Sequence, residues 1–314
     1  MNIEFSKNAY YGYLIKGDLN GAIQYVKQFT ECSELYNHFI EVFEQEKGIT
    51  YDVDAELNEI LAIYQQYYRD VFYFCIGNEN AEEKLSAGLA DVLGISGKSI
   101  EPCDMEQNQI AEIFHSKGYH FLGGKTSGYY GPYIWQSTET KNYEVELPDG
   151  IQNYTVKLLD GFISRSWLDY LSFGEIGTGG WSDGDGIINC VRSSYDFDSE
   201  NFKVSLLKHE AQHARDLAIY KDISSEDLEY RAKLVELIYS RERNMLERFA
   251  LEADSSDKSN GHAAASNRIM EGFVRKLNLN RTEVEGISVE EVQKMALELF
   301  QENSSEKSSE FKDD

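Results

Sequence analysis

Two histidines four positions apart, with a glutamate directly after the first, constrain this chain more than any other feature. They lie in the segment His209-Glu210-Ala211-Gln212-His213. On an α-helix, side chains at positions i and i+4 lie on the same face, so both imidazoles can bind one metal ion. The segment therefore predicts a helix that carries two metal ligands, with a carboxylate beside them.

The residues around this segment predict a helix over residues 199–219. Asp198 and Ser199 are candidate N-caps, and neither proline nor glycine interrupts the run. Apolar residues recur at intervals of three and four positions, as on the buried face of a helix. They are Leu206, Leu207, Ala211, Ala214, Leu217 and Ala218. This pattern turns the two histidines towards the protein interior.

A second predicted helix begins near Ser225 and supplies candidates for a third metal ligand. Three glutamates on it can serve: Glu226, Glu229 and Glu236. We favour Glu229 because Ala232, one turn further on, is small enough to let the two helices approach closely. Glu226 and Glu236 remain alternatives. Two histidines and one carboxylate would leave the fourth position of a tetrahedral site open to water.

The motif His209-Glu210-x-x-His213, followed by Glu229 on the next helix, resembles that of the gluzincin group of zincin metallopeptidases. The resemblance covers about residues 185–250. It implies that His209, His213 and Glu229 bind Zn²⁺. It also implies that Glu210 acts as general base on the metal-bound water.

The same resemblance implies an activity, the hydrolysis of peptide bonds in a peptide or protein substrate. Such an enzyme needs a donor that stabilises the tetrahedral oxyanion, and the candidates are His262, Tyr220 and Tyr239. In the family, a strand at the edge of a sheet precedes the metal helix and binds the substrate backbone. Residues 186–191 are the candidate strand here.

A second interpretation is a regulatory or partner-binding protein whose metal site is structural or vestigial. Histidines at this spacing also occur by chance on exposed helices, with the glutamate paired to a neighbour such as Lys208 or Arg215. A zinc ion with one open position favours the peptidase, whereas four protein ligands or an empty site favour the second interpretation.

The composition and periodicity of the sequence predict three regions. Residues 1–95 form a helical N-terminal domain, which is also a candidate docking surface for a protein partner. Residues 96–300 form a zincin-like metallopeptidase domain, and residues 301–314 a disordered acidic tail. The predicted fold class is α+β, with a mixed or antiparallel sheet lobe packed on the active-site helix and with helical N-terminal and C-terminal subdomains.

Strand signals are concentrated shortly before the metal helix. Two alternating runs, residues 143–147 and 154–159, flank the turn sequence Pro148-Asp149-Gly150. This pattern predicts a β-hairpin in the sheet lobe.

Charge and cysteine content bear on partners and on location. The net charge of -25 would repel phosphate backbones and anionic lipids, so neither nucleic-acid nor membrane partners are expected. No apolar run approaches the roughly 18 residues of a membrane span. The four cysteines are widely spaced and predict free thiols. Since residues 1–8 also lack an apolar stretch, the expected location is the cytoplasm.

Overall fold

The computed structural model describes most of the chain: residues 4–95, 100–182, 187–220, 222–242, 244–253, 261–284 and 286–310. The chain divides into two compact units, each built from two stretches of sequence. Unit 1 contains Met1–Ser137 and Asp160–Thr178, and unit 2 contains Thr138–Leu159 and Gly179–Asp314.

Most described residues are helical. The helices of unit 1 are α1 (Lys7–Ile15), α2 (Leu19–Val26), α3 (Ser33–Phe39), α4 (Ala55–Tyr68), α5 (Asn78–Val92), α6 (Pro102–Met105), α7 (Ala111–Ser116) and α8 (Ser166–Leu171). Those of unit 2 are α9 (Leu207–Ile219), α10 (Ser225–Tyr239), α11 (Met245–Glu252), α12 (Gly261–Leu277), α13 (Arg281–Val284) and α14 (Val289–Glu310). π-Helical turns extend several of these at Ile40–Glu44, Arg69–Tyr73, Glu106–Ile110 and Asn201–Leu206. 3₁₀ turns lie at Thr30–Cys32 and Arg192–Ser194.

The strands form three small sheets. In chain order they are β1 (His120–Leu122), β2 (Lys125–Thr126), β3 (Tyr129–Tyr130), β4 (Tyr133–Trp135), β5 (Ser137–Leu147), β6 (Gly150–Asp160), β7 (Ser164–Arg165), β8 (Gly180–Ser182) and β9 (Ile187–Val191). The sheet orders are β1-β4-β7, β2-β3 and β5-β6-β9-β8. With 61% helix and 15% strand, the predicted α+β class with helical N-terminal and C-terminal parts is confirmed.

The boundaries of the units differ from the predicted division at residue 95. Residues 100–137 and 160–178 belong to unit 1, because they share one apolar core with the N-terminal helices. Ile134, Trp167 and Leu171 are buried in that core. The change of pattern near residue 95 marks the end of a helix and not the end of a compact unit.

The four-stranded sheet of unit 2 contains the predicted hairpin. β5 and β6 are hydrogen-bonded neighbours joined at residues 148–149, as the turn sequence predicted. β9 pairs in parallel with β6, where Val156 lies opposite Ile188, and antiparallel with β8.

The prediction of an edge strand at residues 186–191 is wrong. β9 lies between β6 and β8, and β8 is the terminal strand of the sheet. The physical reason is that Ile188, Cys190 and Val191 are fully buried, as in an interior strand covered on both faces. Gly186 itself lies outside the described residues.

The core of unit 2 lies between this sheet and the helices. Val156 and Ile188 from the sheet share one apolar cluster with Leu207 and Ala211 of α9. α10 packs against α9 on one side and against α12 and α14 on the others. The sheet therefore packs on the helix that carries the two motif histidines.

The prediction of a disordered tail from residue 301 is wrong for residues 301–310, which form the last turns of α14. Asn303 is only 2% exposed, and Lys307 Nζ lies 2.9 Å from Asp227 Oδ2 at the start of α10. The prediction of disorder rested on the polar composition of these residues. It failed because polar contacts, and not apolar packing alone, hold this end of α14 in place. Residues 311–314 lie outside the described part of the chain. None of the described helices combines the length and the apolar composition that a bilayer span requires.

Unit 1 contains a fully buried carboxylate, Glu106. The Tyr64 hydroxyl and the Gly124 backbone N–H each donate a hydrogen bond to it, both at 2.7 Å. Burial nevertheless raises the pKa of Glu106 to about 7, against the lowering effect of these two donors. The folded-state pKa thus exceeds the ordinary value of 4.5. Protonated Glu106 therefore contributes its full stabilisation of the folded state below about pH 4.5. That contribution is lost as the pH rises through 7.

We therefore expect Glu106→Gln to remove part of the pH dependence of stability. Glutamine can accept from the Gly124 N–H and donate to the Tyr64 hydroxyl without ever carrying a charge. The free energy of unfolding of wild type relative to this variant should fall by about 3 kcal/mol between pH 4 and pH 8. Urea denaturation across that range measures it. Glu112→Gln, at an exposed position on α7, is the control and should leave the pH profile unchanged.

Candidate metal centre

The helix that carries the motif begins as the sequence predicted but is not regular throughout. The Ser199 hydroxyl accepts a hydrogen bond from the Phe202 N–H at 3.2 Å and caps the helix. Asn201–Leu206 then form a π-helical turn, and the regular α9 begins at Leu207. The motif itself lies wholly within α9.

The structure brings together His209, His213 and Glu229, whose ligand atoms all lie within 4.8 Å of one another. Glu229 of α10 lies between the two imidazoles. Its carboxylate oxygens are 3.5 Å from His209 Nε2 and 3.7 Å from His213 Nε2. Both side chains from α9 therefore direct the same ring nitrogen towards one point on α10.

A carboxylate on the next turns of α10 orients the first histidine. Glu236 Oε1 lies 2.7 Å from His209 Nδ1, so the Nδ1–H donates to it and Nε2 faces Glu229. Burial acts to lower the pKa of His209, but the contacts with Glu229 and Glu236 raise it to about 10. Glu236, one of the alternative ligands, thus positions His209 and is not itself the third ligand. The trio of candidate ligands is His209, His213 and Glu229.

The second histidine has an unused nitrogen. His213 Nε2 is buried and has no hydrogen-bond partner among the described residues. Burial, together with the charge of His209, lowers the pKa of His213 to about 3. The ring is therefore neutral at pH 7, and its Nε2 lone pair is available to an electron acceptor.

These three side chains fit a zinc ion. Ligand atoms about 2.1 Å from one tetrahedral ion lie roughly 3.4 Å apart, close to the observed 3.5 and 3.7 Å between the imidazoles and the carboxylate. A buried, unpartnered imidazole nitrogen is costly unless something binds it. Two imidazoles and a carboxylate are also one of the donor sets found at zinc sites that keep one position open.

Glu210 lies beside the trio, and its side chain is 14% exposed. Burial raises the pKa of the Glu210 carboxyl, and the nearby His209 acts in the opposite direction. Its Oε2 is 3.8 Å from His213 Nδ1. Within the described part of the chain, Glu210 is thus a carboxylate next to the trio whose ion-pair contact is the 3.8 Å approach to His213.

A cleft of about 470 Å³ opens onto this group. His209, Glu210 and Glu236 line it on the helix side, and Gly180 of β8 lines it on the sheet side. A Cβ on Gly180 would come within 2.6 Å of the Asn189 carbonyl oxygen, so only glycine lets β8 lie this close to β9. The volume falls within the range of pockets that bind small molecules or peptide segments.

Of the three candidate oxyanion donors, His262 reaches the site. Its Nδ1 lies 2.9 Å from Glu229 Oε2, its ring stacks 6.4 Å from that of His209, and it lines the cleft. The side chain is 55% exposed, which leaves it accessible from the cleft. His262 is therefore close enough either to orient Glu229 or to contact a substrate.

The two tyrosines among the candidate oxyanion donors lie away from the metal group. Tyr220 follows the C-terminal end of α9, two turns beyond His213, and its ring packs 5.5 Å from the Arg231 guanidinium. Tyr239 lies under Lys208, whose Nζ is 3.7 Å from the ring centroid. The structure brings neither ring to the metal group, because both belong to packing contacts on other faces of α9 and α10.

The remaining alternative ligand, Glu226, also points away from the site. Its carboxylate is 48% exposed and lies 3.6 Å from Arg268 Nη1. Arg215, two positions after the second motif histidine, lies with Nε 3.4 Å from Asp149 Oδ2 in the hairpin turn.

Among the residues that line the cleft, Tyr195 and Lys233 are polar side chains that sequence reasoning missed. Lys233 Nζ is 2.6 Å from Glu252 Oε2, which also accepts from the Ser266 hydroxyl. The position of Lys233, four residues after Glu229, could have placed it on the ligand face of α10. No local pattern indicates Tyr195, which follows β9 and a 3₁₀ turn.

The contact between Glu236 and His209 predicts an effect on metal affinity. Glu236→Ala should weaken zinc binding about 10- to 100-fold, because the imidazole loses the acceptor that fixes its tautomer and orientation. Glu236→Gln keeps an acceptor without the charge and should lie between the variant and wild type. Competition with a chromophoric chelator measures the affinity. Glu226→Ala, on the same helix, is the control and should bind zinc like wild type.

Comparison with models of known protein families, with curated proteins and with solved structures found no match to this chain.

Proposed function

We propose that this protein is a zinc-dependent peptidase that hydrolyses peptide bonds, with Glu210 as general base. The observation that carries the proposal is the convergence of His209, His213 and Glu229, with Glu210 beside them and with His209 and Glu210 lining an open cleft. A purely structural zinc site has four protein ligands and no access for a substrate.

Each residue of the trio has a defined task in this proposal. His209 and His213 would bind the metal through Nε2, and Glu229 through its carboxylate. Zinc held there would supply a Lewis acid that polarises a peptide carbonyl and lowers the pKa of water. Glu236 keeps His209 in the required tautomer through the 2.7 Å contact at Nδ1.

Glu210 would move the protons. Its carboxylate takes a proton from the attacking water and passes it to the amine that leaves. Burial supports this role, because it raises the pKa of Glu210 and so makes the carboxylate a stronger base than one in water. His262 and Tyr195 line the cleft and are the proposed donors to the developing oxyanion.

The substrate would lie between β8 and α11. The resemblance to gluzincins implies that a terminal strand binds the substrate backbone, and β8 has that place in this sheet. Arg248 and Phe249 of α11 line the opposite wall of the cleft.

Metal analysis combined with a peptide-cleavage screen tests this function. The purified protein should contain about one zinc ion per chain and should cleave members of a mixed peptide library, and a chelator should stop cleavage until zinc is restored. His213→Ala should lose both zinc and activity. If zinc is bound but no peptide is cleaved, the regulatory or partner-binding interpretation replaces the peptidase.

A further inference from the structure

Unit 1 contains a second group of buried polar atoms without hydrogen-bond partners among the described residues. They are Arg69 Nε and Nη1, Tyr68 Oη, Tyr170 Oη and Ser166 Oγ. Arg69 is 7% exposed, and the other three residues are less exposed still. Each of these atoms can donate a hydrogen bond, and the guanidinium nitrogens can only donate. The partner that would satisfy all of them is an acceptor.

These side chains lie next to one another although they come from different elements. The rings of Tyr68 and Tyr170 are 5.2 Å apart. A Cβ on Gly131 would lie 2.5 Å from Ser166 Oγ and 2.9 Å from Tyr68 Oη, so both hydroxyls lie close against this glycine and no larger residue fits there. Burial raises the pKa of Tyr170 to about 12, and Arg69 opposes that rise through its positive charge and through a side-chain contact with the Tyr170 hydroxyl.

Arg69 forms no ion pair within the described part of the chain. Its Nη2 donates to the neutral Gln66 Oε1 at 2.6 Å, and no described carboxylate lies within 4.0 Å of the guanidinium. The neighbouring Asp70 accepts from Lys84 Nζ at 3.0 Å and from the Gln66 amide. A buried cation without a partner is unfavourable, and a bound anion removes that cost.

The backbone around the cluster is irregular. Ser166 has a φ of 70°, a left-handed conformation that is strained for a serine. Arg69 begins a π-helical turn, Arg69–Tyr73, directly after α4. Irregular backbone of both kinds recurs at binding sites.

We propose that Tyr68, Arg69, Ser166 and Tyr170 form a binding site for a small oxyanion, a phosphate or a carboxylate group. The guanidinium supplies the compensating charge and a two-nitrogen fork, and the three hydroxyls donate to the remaining oxygens. The site belongs to unit 1 and is independent of the proposed peptidase activity.

Isothermal titration calorimetry with inorganic phosphate and with acetate tests this proposal, at constant ionic strength with chloride as the reference ion. The titration is performed on the full chain in the His213→Ala background, so that neither anion can bind through a zinc ion. We expect saturable binding of one of the two anions. Tighter binding of phosphate identifies a phosphate site, and equal or tighter binding of acetate identifies a carboxylate site.

Variants show whether the measured heat of anion binding comes from this cluster. Arg69→Met should abolish binding, and Tyr170→Phe and Ser166→Ala should each weaken it about tenfold, the effect of losing one hydrogen bond to a charged group. Lys47→Gln, which removes an exposed cation of unit 1, should have no effect. If Arg69→Met does not fold, the two hydroxyl variants decide. Binding no stronger than that of chloride, or binding that these variants leave unchanged, would mean that water fills the site and would overturn the proposal.

Discussion

Glu210→Gln is expected to reduce kcat for peptide hydrolysis about 100- to 10,000-fold while the protein keeps its zinc. Glutamine has nearly the same size as glutamate but cannot accept the proton of the attacking water. The zinc ligands are His209, His213 and Glu229 in this proposal, so removing the carboxylate at position 210 leaves the coordinating atoms untouched. Activity assays and metal analysis on the same preparation measure both effects.

The matched control for this substitution is Glu226→Gln. Glu226 lies on α10 and is paired with Arg268 outside the cleft, so this change removes one negative charge without touching the metal group. It should leave kcat and zinc content near those of wild type. Full activity in Glu210→Gln would remove Glu210 from the mechanism, and loss of zinc in that variant would make Glu210 a ligand instead of a base.

Arg231→Leu is expected to lower the free energy of unfolding of unit 2 by about 3–5 kcal/mol. Arg231 Nε donates to Asp216 Oδ2 at 2.8 Å, and the two side chains are 1% and 0% exposed. Its Nη1 donates to Asn303 Oδ1 and to Ser304 Oγ, both at 3.0 Å. The arginine thus connects α9, α10 and α14, and leucine would leave the carboxylate of Asp216 buried without its counter-charge.

Two further variants isolate that cause. The double variant Asp216→Leu/Arg231→Leu removes both charges of this pair and should recover part of the lost stability. Arg268→Leu removes a partly exposed arginine paired with Asp227, and its effect should stay below about 1 kcal/mol. Urea denaturation followed by circular dichroism measures all three. A loss at Arg231 no larger than that at Arg268 would show that the buried pair does not stabilise unit 2.

The sequence could predict the two motif histidines on one face of a helix, because that arrangement depends only on contacts within one turn. It also narrowed the third ligand to Glu226, Glu229 and Glu236, since all three lie on the helix that follows. It could not choose rigorously among them. The choice depends on the register in which α10 packs against α9, and that register places Glu229 between the imidazoles and Glu236 behind one of them.

The candidate donors to the oxyanion illustrate the same limit. His262 lies 49 positions after His213 in the sequence and reaches the site because α12 packs against α10. Tyr220 lies much nearer along the chain, yet it follows the far end of α9. Beyond one helix, distance along the chain does not determine which side chains meet when the helices pack.

Sequence alone determined the local features of this protein: the capped helix at Ser199, the hairpin around Pro148 and the pairing of two imidazoles on one helix face. Tertiary structure alone decided where unit 1 ends, that β9 is an interior strand, that α14 is held at Asn303, and that the buried donors of Tyr68, Arg69, Ser166 and Tyr170 lie near one another. The physical reason is that periodicity reports contacts a few residues apart. Burial and charge balance, in contrast, arise between segments that only the packed fold brings together.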